Sequence, residues 1–176
     1  MKRFVWMAVF CLVAAVSACA QSPAADPVTS TLRQVLERFS NNLVATAEQV
    51  PVEKYSYHPT PAQMTIGQTM SHVADVNNRA CSIVTGDAAP ERLKIGETEK
   101  DKLVAALKAS MELCKQAFAK LNDAKLGDPV TMFNGRQGTR FSAALEVTND
   151  LIDHYAALAV YMRLNDMLPP TAQPKK

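Results

Sequence analysis

Glycine is scarce in this chain, six of 176 residues, and none of the six belongs to a glycine-rich phosphate loop. A G-x-S-x-G elbow, a C-x-x-C pair and an H-E-x-x-H run are also missing, so the common motif-bearing enzyme classes find no support. No apolar run approaches the roughly 20 residues that span a bilayer. The run from Phe4 to Val16 has only 13. Internal repeats and low-complexity tracts are absent. Few glycines and 48% hydrophobic residues over this length suit one domain with a single core.

That short run is informative in its setting. It follows Lys2 and Arg3 and precedes small residues ending at Gln21, the order of a secretory signal peptide over residues 1–20. Two processing routes stay open. Ala18-Cys19-Ala20 before Gln21 fits a small-x-small cleavage site, and Val16-Ser17-Ala18-Cys19 fits a lipobox with Cys19 as the lipidated residue. Either route predicts a periplasmic or secreted protein, soluble or lipid-anchored, that meets a membrane only through its leader or lipid. Loss of the leader takes Lys2 and Arg3 from the 19 basic residues and leaves 17 against 17 acidic ones. The net charge is then zero, and no basic cluster remains to neutralise a row of phosphates. Nucleic acid is therefore not an expected partner. Cys11 and Cys19 belong to the leader, so Cys81 and Cys114 remain, and two cysteines in an oxidising compartment predict one disulfide.

Residues 21–170 carry four helical periodicities. Leu32, Val35, Leu36, Phe39, Leu43, Ala47 and Val50 repeat at helical spacing before Pro51. A connector with Tyr55 and Tyr57 reads as an extended strap. A second helix starts at Thr60 or Thr65 and ends at Gly86, with Ile66, Met70, Val73, Ala80 and Val84 as its stripe. A loop with Pro90 and Gly96 is long enough to cross one end of a bundle, which allows parallel second and third helices. The third helix spans about Thr98 to Leu121. Val130 to Phe133 and the Asn134-Gly135 turn signal read as a structured loop or small hairpin. The last helix runs from Arg140 until Pro169 and Pro170 stop it, and residues 171–176 read as a disordered tail.

On the last helix, Asp150 and His154 are one turn apart at the edge of the apolar stripe formed by Ala144, Val147, Leu151, Leu158, Tyr161 and Met162. His72 lies at the boundary of the second helix's stripe. Two imidazoles and a carboxylate on facing helices can hold a first-row divalent ion. The same residues also permit a plain Asp150–His154 hydrogen bond with no metal. His58, before Pro59, is a surface residue or a further ligand.

The runs D-H-Y-A-A-L-A-V-Y-M-R-L-N-D-M-L-P-P, T-I-G-Q-T-M-S-H-V-A-D and Y-S-Y-H-P-T-P resemble the DinB-like four-helix bundle superfamily. The resemblance implies an all-α, up-down-down-up bundle with a divalent metal, zinc or nickel, held by three histidines. Carried over, those positions are His72, Asp150 and His154, with Asp150 standing where the family has its middle histidine. Tyr155-Ala156-Ala157 also replaces the R-G-Q that often follows the last ligand. The implied activity is that of a metal-dependent hydrolase or transferase on a small molecule. The alternative is a non-catalytic secreted bundle that lost its third histidine and serves as a binding or structural module. A homodimer is compatible with either.

Overall fold

The computed structural model describes residues 25–133 and 135–174. The expected signal peptide and Cys19 lie outside the described residues. Four helices, α1 (Pro27–Gln49), α2 (Ile66–Thr85), α3 (Lys100–Ala119) and α4 (Arg140–Leu164), form an all-α bundle. A hairpin of β1 (Pro129–Thr131) and β2 (Gln137–Thr139) precedes α4, pairing antiparallel with Val130 opposite Gly138. Among the described residues, no helix is long and apolar enough to cross a membrane.

Chain directions follow from which side chains meet. Asn77 Nδ2 donates to Ser110 Oγ at 3.2 Å and Cys81 faces Cys114, with Cα atoms 5.1 Å apart, so α2 and α3 run parallel. The two sulfurs lie at disulfide distance. Arg33 Nε donates to the Phe118 carbonyl while Lys100 Nζ donates to that of Val50, so α1 opposes α3. Arg140 reaches the Val84 carbonyl and His72 meets Asp150, so α4 opposes α2. The order is up-down-down-up.

Local chemistry sets the helix ends. Thr65 closes α2 with a capping box, accepting from the Gln68 amide while the Gln68 side chain accepts from that of Thr65. Gly86 ends the helix at φ 83°, where an L side chain would be strained. The α1 start has no cap from its own Asp26; the Asp123 carboxylate supplies it from across the bundle, accepting from the amides of Val28 and Thr29. Leu36, Leu43, Met70, Leu103, Leu107, Phe118, Leu151, Leu158 and Met162 fill the core. Each such side chain withdrawn from water contributes about 1.5–3 kcal/mol before entropy is counted.

Three expectations differ from this fold. The strap opens with a 3-10 turn, Val52–Lys54, rather than extended, because Tyr55 is fully buried and its hydroxyl donates to the Ala47 carbonyl at 2.6 Å. Reaching that partner requires the chain to fold back on the end of α1. Helix α4 stops at Leu164, ahead of the prolines, where Asn165 Nδ2 takes the Tyr161 carbonyl and Asp166 adopts φ 58°. The stretch after Pro170, expected to be disordered, is held through Gln173: Pro170–Ala172 forms a 3-10 turn, the Tyr155 hydroxyl bonds the Thr171 hydroxyl at 2.7 Å, and Gln173 Nε2 donates to Gln49 Oε1. Asn77, a polar residue, is fully buried in the stripe of α2.

Candidate metal centre

His72 enters from the second turn of α2, while Asp150 and His154 stand i, i+4 on α4 directly across from it. One ligand atom from each lies within 4.8 Å of the others. Asp150 Oδ1 is 3.3 Å from His154 Nε2 and 3.7 Å from His72 Nε2. The two imidazole centroids are 4.8 Å apart with planes at 73°. Side-chain exposure is graded, 12% for His154, 16% for Asp150 and 42% for His72, so the centre is closed on the α4 side and open on the α2 side.

The electrostatics favour an ionised carboxylate. Burial raises the Asp150 pKa, but the contacts with His154 and His72 outweigh it and hold the carboxyl below its usual range. The contact with Asp150 pushes His72 above the ordinary imidazole value, against the opposing effect of burial. Yet Asp150 Oδ2 is buried without a hydrogen-bond partner among the described residues. A buried carboxylate oxygen left unpaired is costly, and a cation is one group that would satisfy it. Around a tetrahedral ion, bonds of about 2.0–2.2 Å place ligand atoms about 3.3–3.6 Å apart; the two distances to Asp150 Oδ1 already nearly match this, and the widest pair of the trio has to close by roughly an ångström. The donor set, two nitrogens and one oxygen, fits a borderline divalent ion such as zinc or nickel.

Other polar side chains lie elsewhere. His58 Nδ1 is 2.7 Å from the Thr60 carbonyl and is not part of the cluster. Tyr161 packs edge-on against Tyr57, and Arg163 Nη1 donates to the Ala159 carbonyl. Sequence reasoning missed the surroundings of His72. A groove of about 440 Å³ runs along α2 past Ser71, His72, Asp75 and Arg79, and its far wall is the crossover between α2 and α3, with Arg92 and Glu97. Asp75 fixes that wall, accepting the Leu93 amide at 2.9 Å and pairing with Arg92 Nε at 3.4 Å. The signal available was a polar i, i+3, i+4, i+7 face on α2 opposite its apolar stripe.

Solved structures share this architecture. A DinB-like protein from Bacillus cereus superposes with a TM-score of 0.68 at 15% identity, covering 80% of this chain and 95% of that one. A DinB-like protein from Bacillus subtilis gives 0.62 at 22% identity, with 81% and 99% covered. A mycothiol-dependent maleylpyruvate isomerase gives 0.60 at 13% identity, covering 74% of this chain and 60% of the isomerase. Identities this low establish the fold alone. No curated protein matches the chain. Residues 35–158 match the DinB superfamily in sequence, most of the bundle and all three residues of the centre. The chain belongs to the DinB superfamily.

Proposed function

We propose that this is an exported metalloprotein of the superfamily, in which His72, Asp150 and His154 hold one zinc or nickel ion and the groove on α2 admits a small-molecule substrate for hydrolysis or group transfer. The observation that carries the reading is the convergence of His72, Asp150 and His154, with the second carboxylate oxygen of Asp150 buried and unpartnered among the described residues. When bound, the ion would supply Lewis acidity, lowering the pKa of a coordinated water or thiol. The chain's own residues have distinct parts in this. His154 and Asp150, fixed on one helix, form the rigid side of the centre. His72 sits at the solvent-facing edge, where substrate enters. Hydrolysis is favoured over thiol transfer, because a leader of the kind at residues 1–20 carries the chain away from cytosolic low-molecular-weight thiols. The isomerase with the same fold supports small-molecule chemistry in general and does not specify this reaction.

One observation favours a second reading, a non-catalytic binding or structural module. Asp150 Oδ1 lies close enough to both imidazoles to form a charge pair that needs no metal. Elemental analysis of untagged protein from its native compartment separates the two. One equivalent of zinc or nickel, lost in His72→Ala and in His154→Ala, supports the first. Metal-free protein that takes up no zinc on titration supports the second.

A further inference from the structure

The groove beside the centre carries cationic donors that the proposed chemistry leaves unused. Arg79 lies seven residues after His72 on α2, two turns on and about 10.5 Å along the axis on nearly the same face. Its guanidinium stacks over the Phe133 ring at 4.6 Å and has no hydrogen bond or acidic partner among the described residues. Arg92 arrives from the crossover. Only its Nε is engaged, by Asp75; both Nη atoms lack a partner among the described residues, and its side chain is 81% exposed. The two acids of the groove are occupied. Asp75 holds the crossover, and Glu97 accepts the Thr65 hydroxyl at 2.9 Å.

An arginine with free N–H groups presents a planar fork that matches a carboxylate in geometry and charge. Two such forks on one concave surface, one of them held in place by an aromatic ring, form a pre-organised anion subsite. The groove's volume falls within the roughly 300–1,000 Å³ of small-molecule sites, and its mixed charge gives no advantage to a polyanion. We propose that the groove selects small organic acids, with a carboxylate on Arg79 and Arg92 and the rest of the molecule directed along α2 toward His72. This rests on the metal-centre reading and names the substrate class for it.

The test titrates the whole protein with succinate and with its neutral diamide, succinamide, following the arginine Nε–Hε NMR signals with and without one equivalent of zinc. Succinate alone is expected to shift the Arg79 and Arg92 signals. Its Kd should weaken at least fivefold in Arg79→Gln and in Arg92→Gln, variants of exposed side chains whose fold is checked by thermal melting. Lys115→Gln, on the groove between α1 and α3, should bind as the native protein does. Equal responses to succinate and succinamide, or undiminished succinate binding in Arg79→Gln, would overturn the proposal. So would zinc uptake without any succinate response. Failure of the metal reading looks different: zinc is not taken up, yet succinate still shifts both arginines.

Discussion

His154 Nε2 and Asp150 Oδ1 lie 3.3 Å apart, one turn from each other on α4, and both side chains are largely buried. Because α4 fixes their spacing, closing the centre on an ion requires movement mainly of His72, the more exposed partner on α2. Removing either imidazole should therefore lower zinc affinity by at least about tenfold. Asp150→His, which substitutes an imidazole for the carboxylate, should raise it. Calorimetry on the three variants checks both; unchanged affinity in Asp150→His would mean the three positions do not share an ion.

Proton competition gives the centre a pH signature. His72 titrates above the ordinary imidazole value because of Asp150. A protonated ring cannot ligate, so zinc affinity should fall as pH drops through that raised value and level off above it. Competition with a chromophoric chelator across the neutral range measures the profile. In His72→Ala the same step should vanish along with tight binding.

Asp123 contributes to stability as the distant cap of α1. Desolvation works against ionisation, yet the Thr29 hydroxyl and the Val28 and Thr29 amides prevail and lower its pKa. A carboxyl lowered on folding stabilises fully above its unfolded value, and that contribution disappears as pH falls through the folded one. Native protein should lose Tm on acidification more steeply than Asp123→Asn, which starts lower at neutral pH. Parallel Tm curves would contradict the cap.

Cys81 and Cys114 close a loop across 33 residues between two parallel helices. As a disulfide, the link should contribute about 3–4 kcal/mol through the unfolded chain's lost freedom. Denaturant melts of native and Cys81→Ala/Cys114→Ala protein, with and without reductant, read this out. Only the native protein should respond to reductant.

Gly67 tests the crossover. A Cβ there would collide with the Glu97 carbonyl, carbon and Cα, backbone atoms that cannot rotate away. Gly67→Ala should destabilise the protein by about 1–3 kcal/mol and speed exchange of the Leu93 amide, which Asp75 holds. An unshifted denaturation midpoint would show that the crossover yields freely.

Much of this was legible in the sequence because it depends on local patterns. Thr65, Gly86, and the stripes of α1, α2 and α4 announce helices through periodicity and capping. The trio of the centre needed only i, i+4 spacing and two faces meeting. What stayed hidden depends on distant partners. Nothing near Tyr55 says that its hydroxyl belongs to Ala47, or that Thr171 bonds Tyr155. Asn77 reads as a break in an apolar stripe until Ser110 and Met111 are seen beside it. The arginine-lined groove likewise requires the crossover to be laid on α2, a placement set by Asp75 and by the missing side chain of Gly67.

The parallel course of α1 and α4 has a geometric consequence. The start of α1 and the end of α4 lie at opposite poles of the bundle, separated by roughly the 35 Å of a 23-residue helix. His72 is about 9 Å from the α2 terminus beside the end of α1, and about 20 Å from the other. Anything attached ahead of Pro27, such as a solid support or a fusion partner, therefore joins the pole farther from His72.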